Sequence, residues 1–145
     1  MTSWRDSASQ LAQDDLDELL NTVLPFAVET LGRHGELHPF AATIATDSPT
    51  PPPAADLAMA EGENSMEALS LLRDGVAANR DSLRAAAYVA DVRVGGGDAI
   101  QVEAEHSEGV ALVLLAPYSR SRLRKRVQLG EMSVQLGELQ AWKTS

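Results

Sequence analysis

The stretch Ala86-Ala-Tyr-Val-Ala-Asp-Val-Arg-Val-Gly-Gly-Gly-Asp-Ala-Ile-Gln-Val-Glu-Ala-Glu105 carries the fold in its spacing. Before the glycines, Ala86, Tyr88, Ala90, Val92 and Val94 alternate with Ala87, Val89, Asp91 and Arg93. After them, Ile100, Val102 and Ala104 alternate with Gln101, Glu103 and Glu105. A period of two is the side-chain period of a strand, and Gly95-Gly96-Gly97-Asp98 supplies the residues a tight hairpin turn needs. The pattern predicts two antiparallel strands, with Glu103 and Glu105 on a solvated face.

Downstream, Ser107-Glu108-Gly109 turns the chain into Val110 to Ala116, apolar on both faces and therefore a central strand. Val127 to Val134 reads as the next strand, interrupted at Gly130, where a bulge would switch its faces. Leu136, Leu139 and Trp142 are expected to close the core as a last short strand. Upstream, Phe40 to Thr46 is a strand with Phe40, Ala42 and Ile44 on one face.

Two helices precede and interrupt this series. Ser7-Ala8-Ser9-Gln10 fits a capping box, and Leu16, Leu19, Leu20, Val23, Leu24, Ala27 and Leu31 follow at helical spacing. Asp14, Asp15, Asp17 and Glu18 are read as its negative outer face, favourable near a helix N-terminus. Pro25 predicts a kink and Gly32 or Gly35 a left-handed stop. Asn64 to Glu67 is a second capping box, opening a helix with Met66, Leu69, Leu71 or Leu72, and Val76 on its stripe. Between strand and helix lies the Pro/Ala-rich segment 47–62, read as a mobile surface loop in which Leu57 to Ala60 could add a short edge strand. The expected architecture is α+β: a single domain over 1–145, forming a two-layer sandwich of a mainly antiparallel meander sheet with two helices on one face.

The 145 residues suffice for one core, and the absence of cysteine excludes disulfide frameworks, thiolate catalysis and Cys-ligated metals. No secretory signal is visible at the N-terminus, and the longest apolar run, Val110 to Pro117, is too short to cross a bilayer as a helix. The expectation is a cytoplasmic protein with no membrane partner. Ten of the twelve basic residues are Arg and alanine is abundant, a bias read as that of a GC-rich bacterial genome.

His34-Gly-Glu36-Leu-His38 is the densest polar cluster. Two imidazoles and a carboxylate could make a metal face, but the segment starts at a helix end and contains a glycine, unlike HExxH on a helix. The reading preferred is a helix cap and loop, with no metal and no cofactor. Gly95 to Asp98 is followed by a strand rather than a helix, so it is a turn and not a phosphate cradle. Asp91, Glu103, Glu105 and His106 put carboxylates on neighbouring strands, for which ordinary solvated side chains suffice. No GxSxG, GxxxxGK[ST] or HExxH motif occurs, and no catalytic residue is assigned.

The charge map is uneven. Residues 1–118 hold 6 basic and 19 acidic groups, while Ser119-Arg-Ser-Arg-Leu-Arg-Lys-Arg126 holds five positive charges and none negative, within an overall charge of −9. Arg120, Arg122, Arg124, Lys125 and Arg126, with neighbouring Tyr118, are the candidate interaction residues. The acidic body and the lack of interleaved aromatics disfavour nucleic acid. A protein partner or a homodimer, offering an acidic patch to the basic hairpin, fits the charge division better.

Arg33-His-Gly-Glu-Leu-His-Pro-Phe-Ala41, Val113-Leu-Leu-Ala-Pro-Tyr118 and Leu129-Gly-Glu131, with the strand pair Tyr88 to Arg93 and Val102 to His106, resemble a group of small, functionally uncharacterised bacterial α+β proteins. The resemblance covers about residues 14 to 142 and implies a stand-alone cytoplasmic domain, without implying an activity. The expected function is non-enzymatic action through protein contacts. The alternatives are a ligand- or metal-binding enzyme using His34, Glu36 and His38, and a weak nucleic-acid binder using hairpin 119–126.

Overall fold

The computed structural model describes residues 4–49, 53–121 and 126–143. A short helix α1 (Trp4–Ser7) leads into α2 (Gln10–His34). Strands β1 (Phe40–Ala45) and β2 (Ala55–Met59) come next, then α3 (Ser65–Ala78), a 3-10 turn (Arg80–Ser82), and β3 (Leu83–Val94), β4 (Gly97–His106), β5 (Val110–Arg120), β6 (Val127–Leu129) and β7 (Ser133–Leu136). The strands form an antiparallel 7-stranded sheet in the order β2-β1-β3-β4-β5-β6, with β7 also on β5. The fold is α+β.

The central hairpin forms as its spacing predicts. Gly95 and Gly96 have φ of 59° and 81°, the two left-handed residues of a type I′ turn, so β3 and β4 pair from Val94↔Gly97 to Ala85↔His106. Helix α2 begins two residues later than the Ser7 box predicts: Ser9 is the N-cap, its hydroxyl accepting from Ala12 N–H at 3.1 Å. Pro25 lies on its exposed side and the helix runs through it to His34. Gly35, at φ 76°, ends it. Helix α3 starts as expected, with Asn64 accepting from Glu67 N–H at 2.9 Å.

The helices do not share a face of the sheet. Leu16, Leu19, Val23, Ala27 and Leu31 of α2 pack with Phe40, Ala42, Ile44, Ala85, Ala87, Val89, Ile100, Val102 and Ala104. Leu72 and Val76 of α3 pack with Ala41, Ala86 and Tyr88, the alternate residues of the same strands. Because successive side chains point to opposite faces, the helices cover opposite sides, and the two-layer arrangement with both on one face is not what forms. The physical reason is that β1 and β3 are apolar on both faces, so each face needs a cover. Met66 and Leu71, assigned to the α3 stripe, are exposed, and Ala68 takes the buried place.

Within the loop 47–62 an edge strand forms as β2, starting two residues before the Leu57 to Ala60 stretch that the sequence offered and pairing along β1 from Ile44↔Ala55 to Phe40↔Met59; residues 50–52 lie outside the described part. The last strand is Ser133–Leu136, whereas Trp142 sits in a turn, half-buried on the α3 side. The break at Gly130 does form. Tyr118 pairs with Leu129 but Leu115 with Ser133, so three outer residues, 130–132, face two of β5. Gly130 N–H donates to Pro117 C=O at 2.7 Å. In an antiparallel ladder a residue's N–H and C=O face the same neighbour, so the N–H that Pro117 lacks is the one that would have bonded there.

Candidate functional site

Acid–base groups converge in two places, one on each face of the sheet. On the α2 face, Asp15 is 0% exposed and Arg84 and His106 close on it. Arg84 Nε and Nη2 donate to the two oxygens of Asp15 at 2.8 and 3.0 Å. His106 Nε2 lies 2.7 Å from Asp15 Oδ2. Glu108 N–H donates to His106 Nδ1 at 3.2 Å, which places the ring proton on Nε2, facing Asp15. Arg84 Nη1 reaches on to Ser48 C=O at 2.9 Å. The ion pair therefore pins the start of α2, the β4–β5 turn and the chain after β1 to one another.

Arg84 reaches this face through a β-bulge. Ile44 pairs with Ala85 and Ala45 with Leu83, which leaves Arg84 as the extra residue of β3. Strict alternation would have sent it toward α3 with Ala86 and Tyr88; the bulge turns it toward α2.

On the α3 face, Glu105 is 1% exposed. Its carboxylate accepts from Tyr88 Oη at 2.8 Å and from the backbone N–H of Gln140 and Ala141 at 2.8 and 3.1 Å. Beside it, Arg73 of α3 forms an ion pair with Glu103 and lies 5.8 Å from the centroid of the Tyr88 ring. The face expected to be solvated is thus covered by α3 and by the C-terminal turn, and Glu105 is the anchor of that turn. Burial, reinforced by the Glu105 carboxylate, raises the Tyr88 phenol far above the usual tyrosine range. Tyr118 is raised as well, by partial burial and by its hydrogen bond to Asp91 at 2.8 Å. Asp91 is itself raised by desolvation, which that hydrogen bond partly offsets.

These are the chain's two tyrosines, and both shifts have the same sign. Each folded phenol holds its proton more tightly than an unfolded one. Their stability contribution is whole below pH ~10 and is lost as pH rises above it. The native protein is expected to show no tyrosinate absorbance step between about pH 10 and 11, with the step arriving only with alkaline unfolding. A spectrophotometric titration followed in parallel by circular dichroism checks this; a step with the fold intact would contradict it.

Both nitrogens of His106 are engaged and the ring is enclosed, and both oxygens of Glu105 are taken by donors of its own chain.

The candidates named from the sequence fall elsewhere. His34 is in the last turn of α2, and His38 Nε2 stands 3.6 Å from Glu36 Oε1 with both side chains exposed. Among the described residues no three His, Asp or Glu side chains gather as a metal ligand set. At the far end of β5, Arg120 Nη1 donates to Gly35 C=O at 3.3 Å, tying the basic hairpin to the end of α2. Arg126 is exposed and closes the hairpin through its C=O, which accepts from Ser121 N–H at 2.9 Å. Tyr118 is half-buried and bonded to Asp91 rather than presented with the arginines. Arg122, Arg124 and Lys125 lie outside the described residues.

Two surfaces were missed. One is a groove of about 460 Å³ between β2 and α3, lined by Ala41, Met59, Leu71, Leu72, Val76 and Leu83. The other is the outer edge of β6 and β7, where Leu129, Met132, Val134 and Leu136 are exposed, Leu136 by 74%. Its sequence signal is the alternation Met132, Val134, Leu136, of which Leu136 is expected from the sequence to close the core. No known protein family matches the chain, and neither a curated protein nor a solved structure shows significant similarity to it. Among the described residues no helix is long and apolar enough to cross a membrane.

Proposed function

We propose that the chain is a non-enzymatic bacterial protein-interaction domain of the cytoplasm, related to the small α+β group that its HGE, PF and PY segments resemble. The observation that carries this reading is the β7 edge. Ser133-Val-Gln-Leu136 has no charged residue and no proline, and its apolar side chains stand in solvent at the margin of the sheet. Edge strands of monomeric proteins are ordinarily blunted by charge, proline or a covering element, because their unpaired backbone groups recruit other strands. Exposed Arg120 and Arg126 lie at one end of the same edge and add a charged rim to the apolar strand. The full engagement of both buried acid–base clusters supports the non-enzymatic part.

The test is thermal unfolding in the presence of a panel of nucleotides, common metabolites and divalent metals. The expected midpoint stays constant, since nothing in the panel binds the native state selectively. A metabolite that raises it by several degrees, with the groove residue Leu72 or Val76 needed for the shift, would replace this reading with that of a small-ligand binder.

A further inference from the structure

The geometry points to a second copy of this chain as the occupant of the β7 edge, paired antiparallel across a two-fold axis through Gln135. The inference rests on the reading of that edge as an interaction site and names its partner.

The register of the edge dictates how a partner must lie. Gly137 N–H donates to Ala111 C=O at 3.0 Å, and β7 continues this ladder through Leu136↔Leu112 to Ser133↔Leu115. Backbone groups in an antiparallel ladder alternate sides residue by residue. Residues 133, 135 and 137 therefore bond to β5, while Val134 and Leu136 aim their N–H and C=O away from the sheet. The side chains of Val134 and Leu136 stand on the α2 face, beside Leu114 and Leu112. Among the described residues, backbone and side chain are thus both unfinished at the same two positions.

A two-fold axis normal to the sheet keeps the α2 faces of both copies on one side. Centred on Gln135, it sets Val134 opposite the partner's Leu136, and Leu136 opposite the partner's Val134. These are the residues whose backbone groups point outward, so each pair exchanges two hydrogen bonds and makes an apolar cross-strand contact. A centre between two residues would match an α2-face side chain with one from the other face, and the sheet would not continue. Centres on Val134 or Leu136 also match faces, but they pair Leu136 with Met132 or Val134 with Glu138, outside β7, whereas the centre on Gln135 keeps both outward-facing residues of each copy paired within the strand.

Charge favours the same arrangement. Arg120 and Arg126 lie at the β5–β6 end of the edge, and Glu108 and the acidic start of α2 at the other. Antiparallel pairing runs each copy's basic end toward the partner's acidic end, whereas parallel pairing would align like with like. The opposite margin of the sheet differs: β2 carries Asp56 and follows Pro53, the usual guards of an edge. A two-fold pairing through β7 closes on itself and leaves the guarded edges outside, giving a dimer rather than a filament.

The chain has no cysteine, so one introduced thiol reports one position. Gln135 on the axis is a non-hydrogen-bonded pair, whose Cα atoms approach to about 4.5 Å, within reach of a disulfide. Under mild oxidation Gln135→Cys is expected to become mostly covalent dimer, while Leu57→Cys on β2 stays monomeric. In sedimentation from micromolar to hundreds of micromolar, wild-type mass is expected to rise from 15.5 kDa toward twice that value. Leu136→Asp, an exposed position, should keep the wild-type circular dichroism and remain monomeric. A wild-type monomer across that range, or cross-linking at position 57 as fast as at 135, overturns the dimer. Either result leaves the interaction reading intact with a different partner, whereas the ligand panel tests that reading by itself.

Discussion

Replacing Asp15 with Ala is expected to lower stability by about 3–5 kcal/mol, because it leaves the guanidinium of Arg84 buried without its counter-ion. For a domain of this size that is a fall of roughly 10–20 °C in Tm. Asp15 also accepts from His106, so the substitution strands two donors at once. The loss belongs to the broken pair and not to a net gain from the pair itself, since removing both charges is far milder than removing one. Asp15→Leu combined with Arg84→Met should therefore recover much of the deficit. Urea unfolding of the two single variants and the double variant measures this. A cost below about 1 kcal/mol for Asp15→Ala would mean that Arg84 finds water or another acceptor, and that the cluster does not hold α2 to the β4–β5 turn.

Glu105→Ala is the second large effect. Its carboxylate receives Tyr88 Oη and the backbone N–H groups at 140 and 141, all from inside the protein. Hydrogen bonds to an ionised acceptor contribute about 1.5–3 kcal/mol each, and they are not additive when they share one acceptor. A loss of about 3–5 kcal/mol is expected, together with release of the C-terminal turn. Trp142 leaves its half-buried place when the turn detaches, so its emission should shift to the red before global unfolding. Glu105→Gln keeps one acceptor oxygen but turns an NH2 group toward donors, and should fall between wild type and Ala. Unchanged Trp142 emission in Glu105→Ala would show that the turn docks through Ala141 and Trp142 packing alone.

The parts of the fold legible in the sequence were those set by local periodicity. The β3–β4 hairpin, the central β5, the Asn64 cap and the break at Gly130 each rest on residues within a few positions of one another. The position of the helices was not legible, because an apolar strand such as β1 does not say which of its two faces each helix takes. Asp15 was read as a surface acid among Asp14, Asp17 and Glu18. Its spacing from Ala12 and Leu19 in fact places it on the buried stripe, a signal that charge obscured. Glu105 was read as solvated because period two gives only the side of the strand, and it took the returning C-terminal chain to bury that side. The basic hairpin stood out by composition, yet the apolar β7 edge beside it was hidden, since its alternation looks like that of a core strand.

By itself the sequence determined an acidic, cysteine-free α+β chain, with a meander of hairpins and two capped helices. These follow from turn chemistry, helix caps and side-chain period, all of which act over a few residues. Only the tertiary structure decided that α2 and α3 lie on opposite faces, that a bulge sends Arg84 to Asp15 and His106, and that, among the described residues, β7 ends the sheet with its outer backbone groups unpaired. Those outcomes depend on which segments meet across long separations: 69 residues between Asp15 and Arg84, and 36 between Glu105 and Ala141. Burial and strand-edge position belong to the assembled sheet, and no local pattern encodes them.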